Sequence, residues 1–166
     1  FDLPKGYTFK FIRDDVVTAD FGKYLNGVDI VIHLAALTDA EGSLKTQKQF
    51  REVNYYGLIR VADACMARGV KLLFPSTTSV YGSQESIVDE DCKQLKPQSP
   101  YAREKLNAEK YLKSLSKKGL KYVICRFGTI FGYSVGMRYD TAVNKFTWQA
   151  AIGEDLSVWK TAYEQK

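Results

Sequence analysis

What these 166 residues lack narrows the field first. No apolar run approaches the length of a membrane span, so no membrane partner is expected. The opening "FDLPKGYTFK" has no apolar central stretch and does not read as a signal peptide. The three cysteines, Cys65, Cys92 and Cys125, are widely spaced and odd in number. They make neither a metal-binding spacing nor a disulfide framework, and read as reduced thiols of a cytoplasmic protein. No metal is expected. Histidine occurs once, at His33 inside a strand-like segment, where a satisfied core residue is a better reading than a catalyst. There are no repeats and no low-complexity tracts. The formal charge is +5, but the lysines are scattered over helix faces and ends, as in "KSLSKKGLK", and form no nucleic-acid-binding stripe.

What is present is an alternation of strand and helix patterns. Strands are expected at "YTFKFI" (7–12), "VDIVIHLAA" (28–36), "VKLLFPST" (70–77) and "LKYVICRF" (120–127). The middle two carry nearly continuous apolar runs, as strands covered on both faces do. Between them, "ADFGKYLNG" reads as a short helix stopped by Gly27, and "KTQKQFREVNYYGLIRVADACMARG" as a long one stopped by Gly69. "SPYAREKLNAEKYLKSLSKKG" has Ser99 as N-cap, Pro100 at the first helical position, and two lysines and Gly119 at its end. This order predicts an α/β fold with a doubly wound parallel sheet. After residue 132 the texture changes, to one amphipathic helix near 140–152 and a short strand at "LSVW".

Tyr101 and Lys105 lie one helical turn apart, on the face continued by Ala108, Leu112 and Leu115. A lysine on a buried face is costly unless its charge is used. Taken alone, the pair is better explained by a snorkelling lysine beside an amphipathic tyrosine. Its context adds "FPSTTSVYG" (74–82), a strand running into hydroxyls. Ligands of open α/β sheets bind beyond the carboxyl ends of strands. It also adds "DIVIHLAA", a strand ending in small residues that permit close backbone approach, and "VNYYG", an asparagine within a helix.

These segments, with "CRFGTIFG" (125–132), resemble the extended short-chain dehydrogenase/reductase family, and within it the nucleotide-sugar epimerase and dehydratase branch. The resemblance covers nearly the whole chain. It implies a Rossmann-like domain over 1–132 and the beginning of a substrate-binding region over 133–166. It implies NAD, or NADP, as cofactor and a nucleotide-activated sugar as substrate. Tyr101 would be the general acid or base. Lys105 would bind the nicotinamide ribose and lower the tyrosine pKa. Thr77 would hydrogen-bond the reacting hydroxyl. Leu34, Ala35 and Ala36 would line the cofactor, with Asn54 near it and Phe127 and Gly128 by the nicotinamide. Asp15, with Val16, matches the acidic position near the adenine, and Asp14 is its rival. On the substrate side stand Thr129, where the branch often has asparagine, and Arg138 and Asn144, for which structural roles weigh equally. Asn54 tying loops together and Asp15 capping a loop are the plain alternatives for those two.

The family's G-x-x-G-x-x-G turn after the first strand is absent from the sequence, as is most of a substrate domain. The spacing of Gly128, Gly132 and Gly136 is wrong for such a turn, and no helix immediately follows it. The expectation is therefore part of a longer protein, with a strand and the glycine turn preceding Phe1. The helices bearing Asn54 and Tyr101 are the pair through which family members commonly dimerise, so a homodimer is expected. The rival reading is a non-catalytic binding or regulatory member of the same fold.

Overall fold

The stretch KLLFPST forms the central strand, β2 (Lys71–Thr77). On one side it pairs with β1 (Ile30–Ile32) and on the other with β3 (Tyr122–Phe127), both parallel, in the order β1-β2-β3. The computed structural model describes residues 6–38, 47–84 and 87–158. The chain divides into two compact units, Phe1–Phe127 and Gly128–Lys166.

Side chains alternate across a strand, and burial along β2 alternates with them. Leu72, Phe74 and Ser76 point to a covered face, which also takes Val31 from β1 and Tyr122, Ile124 and Arg126 from β3 by register. The cover is two helices, α2 (Gly57–Arg68) and α3 (Pro100–Ser116). Leu58, Val61, Ala62 and Cys65 of α2 and Ala108, Leu112 and Leu115 of α3 join Leu72 and Phe74 in one core. Strand order advances in one direction, and successive right-handed crossovers then fall on the same face. The opposite face carries Ile30, Ile32, Val123 and Phe127, which are 49%, 56%, 57% and 44% exposed. The continuous apolar runs pointed to strands covered on both sides. Among the described residues the cover is one-sided, because both crossover helices lie together.

The elements begin and end for local reasons. Ser99 accepts a hydrogen bond from Ala102 N at 3.1 Å and Pro100 opens α3, as read from the sequence. Gly69 closes α2 in the left-handed region at φ +67°. The long helix before β2 is not uniform: α1 (Gln47–Arg51) passes into a π-helical turn, Glu52–Tyr56, before α2 begins. The segment expected as a short helix after Ala19 is a single 3-10 turn, Phe21–Lys23.

The strand expected at 7–12 is not formed. Tyr7, Phe9 and Phe11 are 71–76% exposed and, among the described residues, have no neighbouring strand to pair with. Without a ladder partner, alternation alone makes no strand. In the second unit, α4 (Ala142–Ala151) is the expected helix. No strand forms at 156–158, and Trp159 of the expected "LSVW" strand lies outside the described residues.

Candidate active site

Parallel strands present all their carboxyl ends at one edge of the sheet. Here that edge carries residues 33–36 after β1, Thr77 and Ser79 at and beyond the end of β2, and Phe127 at the end of β3. The register puts Thr77 directly beside Phe127. Leu34 and Ala35 are exposed and Ala36 half-buried.

The start of α3 packs against this edge. Lys105 is buried, 4% exposed, and its Nζ donates to Pro75 O at 2.7 Å. The same nitrogen lies 4.6 Å from the ring centre of Phe74 and 5.9 Å from that of Tyr101. Burial lowers the Lys105 pKa to about 8, which still leaves the ammonium mostly charged at neutral pH. Thr77 Oγ1 accepts from Ser79 N at 3.1 Å, closing the turn after β2. That bond uses an oxygen lone pair, not the hydroxyl proton.

Gly82, two residues past this turn, is at φ +67°, and a Cβ there would sit 1.9 Å from Lys96 O. Only glycine allows the 93–98 segment to cross so close. Gln84 Nε2 ties the crossing together by donating to Tyr81 O and Gln94 O.

A second cluster forms around the π-helical turn. Asn54 is 2% exposed; its Oδ1 accepts from Leu37 N at 2.8 Å and its Nδ2 donates to Leu37 O at 2.9 Å. Both ends of the amide are thus spent on one residue of the loop leaving β1, which is the loop-tying role. Three residues on, a Cβ at Gly57 would lie 3.1 Å from Val16 Cγ1. Val16 belongs to the turn in which Asp15 Oδ1 accepts from Val17 N at 2.7 Å, so Asp15 caps its own loop. Its rival Asp14 accepts from Tyr24 Oη at 2.5 Å, and that bond holds its carboxyl below the usual range.

The remaining candidates belong to the second unit. Gly128 and Thr129 are exposed. Arg138 pairs with Asp140 at the surface. Asn144 is 5% exposed, accepting from Gly132 N at 2.9 Å and donating to Arg138 O at 2.9 Å, so it holds the 132–138 loop.

Residues 8–165 match the profile of the NAD dependent epimerase/dehydratase family. The chain belongs to this family.

Among its relatives, an uncharacterized UDP-glucose epimerase YtcB of Bacillus subtilis (strain 168) is 35% identical over 91% of this chain. The chain spans 48% of that relative's length. The UDP-N-acetylglucosamine 4-epimerase from Methanobrevibacter ruminantium M1, solved with UDP-N-acetylmuramic acid, is similar with a TM-score of 0.78 and 32% identity. That match covers 87% of this chain and 48% of the other. The UDP-glucuronic acid 4-epimerase from Bacillus cereus, solved with NAD, has a TM-score of 0.76 and 31% identity, covering 90% of this chain and 48% of its own.

The epimerase/dehydratase chain also holds a buried polar network that reading of the sequence passed over. Glu109, fully buried on α3, accepts from Ser76 Oγ at 2.6 Å. It also accepts from Arg126 Nε at 3.1 Å and Arg126 Nη2 at 2.7 Å. Arg126 Nη1 donates to Tyr81 Oη at 3.1 Å, and its guanidinium lies 4.9 Å from the centre of that ring. Glu109 keeps Arg126 firmly charged. A cavity of about 690 Å³ adjoins the network, lined among others by Thr78, Tyr81, Lys113 and Phe127. The signal was available: Glu109 continues the Tyr101–Lys105 stripe by one turn, and Arg126 is the charge inside the apolar strand "VICRF".

Proposed function

We propose that the protein containing this chain uses NAD, or NADP, to oxidise and then re-reduce a carbon of a nucleotide-activated sugar, the chemistry of an epimerase or dehydratase. The observation that carries this reading is the seat of Lys105. Its ammonium is buried one turn from Tyr101 and hydrogen-bonded to Pro75 O of β2, two residues before Thr77. A charge taken from water on an apolar face is expensive, and a proton-transfer role for Tyr101 gives it a use. The relatives named above, two of them solved with a UDP-sugar or with NAD, support the same reading.

The residues at the sheet edge suit a dinucleotide. Lys105 has three ammonium protons, of which Pro75 takes one. Ala35 and Ala36 leave the backbone open to close approach, and Leu34 and Phe127 offer exposed apolar surface. When bound, the nicotinamide supplies the hydride acceptor and returns the hydride later. Tyr101 then takes the proton of the sugar hydroxyl, and the Lys105 cation favours the phenolate that does so. Thr77 holds that hydroxyl in line, with its own O–H directed at the sugar oxygen. Asn54 acts on the cofactor through Leu37, and Asp15 and Val16 serve the adenosine end. Gly128 flanks the nicotinamide. Thr129 and Arg138 meet the substrate, and Asn144 acts by holding the Arg138 loop.

Turnover of a panel of UDP- and dTDP-sugars by the full-length protein tests this. Tyr101→Phe is expected to lower kcat by about 100-fold or more; turnover equal to wild type would overturn the reading. We further propose that the protein is a homodimer built on the helix 47–68, which bears Asn54, and on α3. Light scattering of the full-length protein should give twice the chain mass, and a monomer at micromolar concentration would exclude it.

A further inference from the structure

The Glu109 network joins α3 to both strands it covers. Tyr101, Lys105 and Glu109 recur every four residues, so they run down one face of the helix as a shallow stripe. Each of the lower two grips the sheet. Lys105 reaches the backbone of Pro75 and Glu109 the side chain of Ser76, the two residues that precede Thr77. Arg126 is the register partner of Ser76, just as Phe127 is of Thr77. Its fork closes on the Glu109 carboxylate from β3, with the Nη2–Oε2 contact at 2.7 Å. The carboxylate therefore meets donors from both strands at once, and it can do so at one axial setting of the helix only.

Sliding α3 by one residue would move its side chains by about 1.5 Å along the axis and turn them by about 100°. Hydrophobic contacts tolerate small sliding. A carboxylate clamped by a hydroxyl and a planar guanidinium does not, because partial loss leaves a buried charge unsatisfied.

We propose that Glu109 is a positioning residue: locked by Arg126 and Ser76, it fixes the setting of α3 on β2 and so holds Tyr101 and Lys105 against Thr77. The inference rests on the reading of Tyr101 and Lys105 as the proton-transfer pair. Glu109 touches no substrate in this scheme, so its loss shows in kcat and not in KM.

The test uses the full-length protein with whichever UDP- or dTDP-sugar of the panel turns over. Glu109→Gln keeps the side-chain shape and removes the charge. Arg126→Lys keeps the charge and removes the fork, and serves if the first variant folds poorly. Either is expected to lower kcat about 10- to 100-fold. KM for the sugar nucleotide should stay within about threefold. Leu115→Ala, a core truncation on the same helix, is the control for stability. It should lower Tm at least as far and keep kcat, all rates being taken well below every Tm. If Tyr101→Phe is inactive and both clamp variants keep wild-type kcat, the positioning role is overturned and the proton-transfer reading survives. Matching losses in Leu115→Ala would also overturn it, by reducing Glu109 to a contributor to stability. Full activity of Tyr101→Phe would overturn both.

Discussion

His33 is seated with its ring 6.1 Å from that of Phe74, and Lys105 Nζ lies over the same phenyl ring. Its Nε2 is buried without a hydrogen-bond partner among the described residues, so it is a core histidine but not a satisfied one. Burial, and then the charge of Lys105, lowers its pKa to about 4. Between that value and the ordinary 6.5 the unfolded chain binds the extra proton and the folded chain does not. Stability contributed by the neutral ring is complete above pH 6.5 and is lost as pH falls towards 4. The shift corresponds to about 3 kcal/mol. His33→Phe should therefore flatten the fall of the unfolding free energy measured by urea titration between pH 7 and pH 4 by roughly that amount. Lys105 has the matching sign at the alkaline end: with its pKa lowered to about 8, stability rises with pH from there towards 10.5. At this scale the sequence was legible where a side chain is unusual for its place: the lysine on the apolar stripe of α3 is indeed buried, at Lys105. Glu109 stands on the same stripe, but its role shows only once its partners on β2 and β3 are known.

Helix 47–68 positions two loops through one short stretch. The π-helical turn holds Asn54, which clamps Leu37, and Gly57 at its end takes Val16. Such turns recur at functional sites. Asn54→Leu leaves the Leu37 N–H and C=O without their partner and is expected to cost about 2–4 kcal/mol. Amide exchange at Leu37 should quicken by more than about tenfold, with the amides of β2 still protected. The π-helical turn could not be read in advance. Burial at 50, 54, 57, 58, 61, 62 and 65 follows ordinary helical spacing, so the apolar pattern carries no mark of it. The ends of α3 were readable, because Ser99, Pro100 and Gly119 act through local backbone chemistry that needs no tertiary partner.

At the scale of the whole chain, strand and helix alternation gave the parallel α/β class, and β2 and β3 fell where their apolar runs placed them. The failures are of one kind. Among the described residues, 7–12 have the alternation of a strand and no pairing partner, and the sheet has one bare face where two covered faces were expected. Strand pairing and sheet cover are supplied by other segments, so no local pattern can guarantee them. The bare face, with Ile30, Ile32, Val123 and Phe127 about half exposed, also governs how the chain responds to temperature. Apolar surface that water already wets in the folded state adds nothing to the heat capacity gained on unfolding. For this chain that increment is expected on the low side of the usual ~12–15 cal/mol/K per residue, which calorimetry checks. A correspondingly shallow stability curve is expected, with a broad, flat maximum and little loss on cooling.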